Sequence, residues 1–98
     1  MKQHKENLEE RTAITERELN EIQSRCELTK KGPWKSYIES RDKFVGDSFI
    51  MTGEEDLYLI NAKLEDYEFI AHAKQDIPML LGEIERLKIL LKKISKNS

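Results

Sequence analysis

Trp34, Tyr37 and Tyr58, interspersed with Lys35, Arg41 and Lys43, are the side chains of this sequence best suited to holding a ligand. Aromatic faces stack on bases, and Arg or Lys neutralises phosphate. Repeated by symmetry around an oligomer, such a set forms a pocket for a nucleotide or a cyclic oligonucleotide. The competing reading is structural, with Trp34 covering the core and the tyrosines packing as cross-strand pairs.

Residues for covalent or acid–base chemistry are sparse. His72 is the one histidine within the expected folded region, and Asp76 follows four positions on, on the same face of a continuous helix. A general base needs a partner nucleophile within reach, and no nucleophile motif accompanies this pair. A histidine hydrogen-bonded beside a helix cap explains it as well. Glu65, Asp66 and Glu68, with Glu54-Glu55-Asp56, supply carboxylates, but acid near a helix start is stabilising without any catalytic role. The four glycines, Gly32, Gly46, Gly53 and Gly82, are scattered and cradle no phosphate. One cysteine, Cys26, and two distant histidines, His4 and His72, make no recognisable metal site. The expectation is a protein with no catalytic residues, no metal and no cofactor.

Charged residues make up 37% of the 98 positions, yet the formal net charge is only −2. Such a mixed surface lacks the clustered basic surplus that marks DNA- or RNA-binding domains. The N-terminus has no apolar signal-peptide stretch and no run reaches membrane-spanning length. A cytoplasmic protein is expected, with no membrane partner. The charges are unevenly placed: acid is dense before residue 28, whereas Arg86, Lys88, Lys92, Lys93 and Lys96 crowd the end. That asymmetry suits antiparallel or domain-swapped helix pairing, although basic residues at a helix C-terminus also complement its dipole.

The elements that position these residues follow from periodicity. Residues 6–28 lack Gly and Pro and are rich in Glu, Arg and Leu, which predicts one long helix ended by Gly32-Pro33. Short aromatic and β-branched runs at 34–40, 48–52 and 56–60, separated by turn residues, predict a three-stranded antiparallel meander. A helix is expected from about residue 62 to 75. Asp76-Ile77-Pro78 then predicts a bend, with Asp76 capping a further helix; one helix kinked at Pro78 is the alternative. In that last segment Ile77, Leu80, Ile84, Leu87, Leu91 and Ile94 are spaced 3, 4, 3, 4, 3, a heptad seam. Leu81 and Leu90 widen it. An α+β domain of this size has little else to bury the seam against, so a homo-oligomer is expected, assembled through Leu80, Ile84, Leu87, Leu91 and Ile94.

Gly32-Pro33-Trp34, the strand region, Asp66-x-x-Phe69-Ile70-Ala71-x-Ala73 and Asp76-Ile77-Pro78-x-Leu80-Leu81-x-Glu83-Ile84-x-x-Leu87 resemble small phage and prophage proteins. The likeness is to the Ead-type early-region group and its relatives in phages of Gram-positive hosts. It covers roughly residues 18–87, leaving 1–17 as an N-terminal helical extension before a single domain over 18–98. Lys74 stands where the family pattern more often has Arg, which makes an anion contact there geometrically weaker. The resemblance implies a phage or prophage accessory protein acting in the bacterial cytoplasm. Together these readings give a non-enzymatic oligomer that binds and sequesters a ligand, with a nucleotide immune signal of the host as the boldest case. The ligand-binding set is then Trp34, Tyr37, Arg41, Lys43, Tyr58, His72 and Lys74. The alternative is a helical adaptor whose charged first helix docks and inhibits a host or phage protein.

Overall fold

The computed structural model describes residues 13–96. Along the chain run helix α1 (Glu16–Glu27), strand β1 (Lys35–Tyr37), strand β2 (Phe49–Met51) and helix α2 (Leu64–Lys96). Among the described residues no helix is long and apolar enough to cross a membrane.

The first helix is shorter than its composition predicts, and the cause is local. Thr15 closes a capping box: its hydroxyl accepts the Glu18 N–H at 3.1 Å, and the Glu18 carboxylate accepts the Thr15 N–H at 2.8 Å. That reciprocal pair satisfies two end donors and fixes the helix start. The expected residues 6–12 of this helix, and most of the expected extension over 1–17, lie outside the described residues; residues 13–15 are not helical. At the other end Leu28 is the C-cap, four residues before the Gly32-Pro33 signal. There the Lys74 ammonium reaches across from α2, donating to the Cys26 carbonyl at 3.3 Å and to the Thr29 hydroxyl at 2.7 Å. A cation on the last carbonyls of a helix is the favourable sign for its dipole.

The expected three-stranded meander is a two-stranded sheet. β1 and β2 pair antiparallel with Ser36 opposite Ile50 and Tyr37 opposite Phe49. Alternation turns Ser36 and Ile50 inward and leaves Lys35, Tyr37, Phe49 and Met51 on the outer face. The third run contributes a single bridge, Ile50 to Leu57. The turn before it is anchored elsewhere: Gly53 N–H donates to the Lys31 carbonyl at 2.6 Å, Glu54 accepts the Lys31 N–H, and Glu55 pairs with Lys30. A β-carbon at residue 53 would sit 3.0 Å from the Lys31 carbonyl oxygen, so a larger residue there would push against this backbone. Asn61, with φ of 58°, turns the chain away before a longer ladder can form.

The expected break into two helices at Pro78 is also absent, and the alternative of a single helix through Pro78 is what forms. One helix of 33 residues runs through it, so Asp76 lies in a helix interior and caps nothing. Proline there forfeits a backbone hydrogen bond to Lys74 and costs about 3 kcal/mol in an isolated helix. Packing on both sides offsets the loss, because the sheet holds α2 before this point and α1 lies along it from there on. α1 runs antiparallel to α2: Cys26 meets Lys74 at one end, and Glu16 pairs with Lys88 at the other. The acid-early, base-late charge pattern is thus used within one chain.

The core sits between the sheet and the first turns of α2. Ile38, Ile50, Tyr67 and Ala71 are buried, Ile50 completely, and Trp34, Leu57, Leu59, Ala62 and Ile70 pack around them. α1 contributes no buried residue.

Candidate functional site

The sequence-predicted ligand set is divided among three places. On the outer face of the sheet, Tyr37 stacks on its cross-strand partner Phe49, with centroids 5.3 Å apart and planes at 20°. Phe44 meets Phe49 edge-on at 5.6 Å and Tyr58 tilts against it at 5.8 Å. Phe49 is therefore the centre of an aromatic cluster in which the predicted stacking residues stack on each other. Tyr58 remains 60% exposed, and the Lys35 ammonium lies 5.2 Å from the Tyr37 centroid. Lys43 is exposed in the connecting loop, with a left-handed backbone (φ 61°).

Trp34 and Lys74 form the second place, where α1 ends against α2. The Trp34 indole N–H donates to the Lys30 carbonyl at 3.0 Å, and the Lys74 ammonium lies 5.5 Å from the indole centroid. With its donors on Cys26 and Thr29, Lys74 ties two elements together. Gln75, beside it, holds the Trp34 backbone at both groups: its carbonyl oxygen accepts the Trp34 N–H at 2.9 Å, and its amide donates to the Trp34 carbonyl at 3.3 Å.

Arg41 and His72 belong to a cleft of about 220 Å³, lined also by Trp34, Lys35, Ser36, Glu68 and Ala71. The Arg41 guanidinium donates to both Asp42 oxygens, to Glu68 and to the Ser36 carbonyl. Hydrogen bonds to Asp42 and Glu68 raise the Arg41 pKa further above its ordinary value. Arg41 in turn holds the Glu68 and Asp42 carboxyls below theirs, helped by the Ser36 hydroxyl and the Ile38 N–H respectively. Ser36 is 4% exposed and donates its hydroxyl proton to Glu68 at 2.9 Å. It is thus a donor to a carboxylate, not an oxygen held by a base for attack. His72 is exposed, with Nε2 3.6 Å from Glu68 Oε1, too far for a hydrogen bond. The cleft works as a clamp joining the β1 turn to α2.

The predicted assembly residues share one face of α2. Leu80, Leu87, Leu91 and Ile94 are 61%, 42%, 63% and 57% exposed, and Ile77 lies beside them at 36%. Ile84 is half-buried: with Pro78 and Leu81 it faces Leu19 and Cys26 of α1 across a gap of about 440 Å³. At 100° per residue, Phe69 falls on the same face, and it is 75% exposed. It extends the apolar stripe onto the body of the molecule, beside a second groove lined by Ile22, Trp34, Ala73 and Ile77.

Sequence reasoning missed Phe69 as part of this stripe, although its spacing to Ala73 and Leu80 carries the signal. It weighed Glu68 only as an acid near a helix start and missed Gln75, because their partners lie 27 and 41 positions away and leave no local pattern; it also missed Asp42, whose partner Ile38 is only four positions away. Comparison with known proteins adds no assignment: no family model, no curated protein and no solved structure matches this chain.

Proposed function

We propose that this protein is a non-enzymatic, self-assembling binding module that works as a homo-oligomer joined through α2. The observation that carries the reading is the exposed stripe of Ile77, Leu80, Leu87, Leu91 and Ile94, with Phe69 in line with it. Burying a leucine or isoleucine contributes about 1.5–3 kcal/mol, and leaving several on one face invites a partner. The packing of Trp34, Lys74 and Arg41 against their own chain favours protein contacts over a basic ligand pocket. In the setting implied by the resemblance to phage accessory proteins, the module acts in the cytoplasm of a bacterial host.

Sequestration of a nucleotide signal is the second reading, and the outer sheet face supports it. Exposed Tyr58 beside Phe49, with Lys35 over Tyr37 and Lys43 in the loop, offers a stacking surface and two cations.

One preparation tests both. Sedimentation equilibrium of the purified chain at micromolar concentration should report an oligomer, and a monomer overturns the self-assembly reading. The same sample, purified from a host with active nucleotide signalling, is denatured and its supernatant examined by mass spectrometry. A released nucleotide moves sequestration to first place; a blank leaves the assembly module.

A further inference from the structure

Resting on the self-assembly reading, we infer its geometry: the partner is a second copy of this chain, and the two α2 helices pair parallel and in register as a two-stranded coil. Spacing sets the kind of partner. Ile77, Ile84 and Leu91 alternate with Leu80, Leu87 and Ile94 at steps of three and four, which is the pattern filled by side chains of another helix. In heptad terms the first trio takes the a positions and the second the d positions. Isoleucine prevailing at a with leucine prevailing at d is the combination that favours two parallel strands.

Charge sets the direction. The residues flanking the seam on one side, at the g positions, are Asp76, Glu83 and Leu90; on the other, at e, they are Leu81, Lys88 and Ser95. In a parallel pair a g residue faces the e residue five positions further along the second helix. Glu83 then meets Lys88 of the second copy, twice by symmetry, and no like charges oppose each other. In an antiparallel pair g faces g, so Glu83 meets either the second copy's Leu90 or its Glu83. The groups need not leave their present partners. Lys88 pairs with Glu16 and Glu83 with Arg86, while an ammonium has three donors and a carboxylate about four acceptor sites. α1 lies against Lys74, Pro78, Leu81 and Lys88 and borders the seam at Ile77 and Ile84, leaving Leu80, Leu87, Leu91 and Ile94 exposed.

The other route by which a small α+β domain dimerises, edge-to-edge strand pairing, is closed by side chains. Along the outer edge of β1, Gln75 occupies the Trp34 N–H and carbonyl, Arg41 takes the Ser36 carbonyl, and Asp42 accepts the Ile38 N–H at 2.7 Å. Filling an edge in this way blocks a second strand.

Disulfide trapping decides the arrangement. In a Cys26→Ser background, Leu80→Cys and Leu87→Cys variants are each oxidised in a glutathione buffer, with helix content checked by circular dichroism. A parallel in-register pair brings identical d positions within disulfide reach, so each variant should link to itself nearly completely. If Leu80→Cys fails to link alone but links when mixed with Leu91→Cys, the pair is antiparallel and the inference falls, while self-assembly stands. Sedimentation of the parent as a trimer or larger overturns the two-stranded count. A monomeric parent overturns both this geometry and the assembly reading beneath it.

Discussion

The two halves of α2 have much the same apolar periodicity and opposite circumstances. In residues 64–75 most of the helix is engaged, Phe69 apart: Tyr67 and Ala71 enter the core, and Glu68, Lys74 and Gln75 each clasp a different part of the chain. In residues 76–96 only the α1 side, with Ile84, is covered, and Leu80, Leu87, Leu91 and Ile94 face outward. The difference shows that the helical pattern specifies a buried stripe without specifying what buries it. In the first half the sheet is the cover. In the second half the cover is a partner, on the reading proposed above.

That contrast is broken most directly by comparing Ile50→Ala with the double change Leu87→Asp, Leu91→Asp. Ile50 has no exposed surface, and truncating such a residue to alanine costs about 2–5 kcal/mol. The core around it is small, so denaturation at any protein concentration should show a large loss. The double change should leave the dilute monomer's unfolding midpoint close to the parent's and abolish association. Two seam leucines at about 1.5–3 kcal/mol each correspond to a rise in dissociation constant of about a hundredfold or more. Equal loss of monomer stability in both variants would erase the distinction between the halves.

Gln75→Ala sharpens the boundary between them, because Gln75 is the last residue of the clasping half. Its loss leaves the Trp34 N–H and carbonyl without partners, at a cost of about 1–3 kcal/mol. It also uncovers the β1 edge, so aggregation with a strand signature in circular dichroism should rise with concentration. A variant that is weakened but stays free of aggregation would show that Arg41 and Asp42 close the edge unaided.

How far the sequence could be read follows the same boundary. That Leu80, Leu87, Leu91 and Ile94 share one helix face was legible because it depends on spacing within one helix. The α+β composition and the two paired strands were legible for a similar reason: Tyr37 and Phe49 are local β formers. The bend at Asp76-Ile77-Pro78 was misread, since the cost of an internal proline is local while the packing that offsets it comes from α1 and the sheet. The third strand was misread because Lys30 and Lys31, more than twenty positions earlier, hold the turn that would have fed it. The expected ligand set is divided among three places for a similar reason. Arg41 and Lys74 carry the right charge for phosphate, but Glu68, Asp42, Thr29 and the Cys26 carbonyl reach them first.

Two candidate helix starts give a smaller, cleaner contrast. Thr15 is a true N-cap, so Thr15→Ala should lower stability by about 1 kcal/mol. Asp76, the cap expected from the sequence, lies exposed within α2. Asp76→Ala should therefore stay within about 0.5 kcal/mol of the parent. Urea denaturation of the two variants side by side measures both, and a larger loss at Asp76 would place a helix boundary at Pro78 after all.

The smallest effect expected is on pH, and it again separates the halves. In the body, Arg41 holds Glu68 and Asp42 below their ordinary pKa values; in the seam half, Arg86 does the same for Glu83. A carboxylate depressed in the folded state contributes stability that is fully present above its unfolded pKa, about 4. That contribution is lost as pH falls through the lower folded value. All three groups are solvent-accessible, so each contributes modestly. Glu68 and Asp42 join the β1 turn to α2, and their protonation should lower the unfolding midpoint below about pH 4. Glu83 and Arg86 are one turn apart on the same helix, so protonating Glu83 should barely touch monomer stability. It should weaken association instead, because Glu83 is the residue that faces Lys88 of the second copy in the parallel pair proposed above. Glu68→Gln and Glu83→Gln, followed by unfolding and by sedimentation between pH 3 and pH 7, separate the two. A shallower acid-side slope in unfolding for Glu68→Gln alone, with Asp42 keeping the remainder, and in association for Glu83→Gln alone, is the outcome expected. A Glu83→Gln variant whose association keeps the parent's pH dependence would remove the Glu83–Lys88 pairing from the seam.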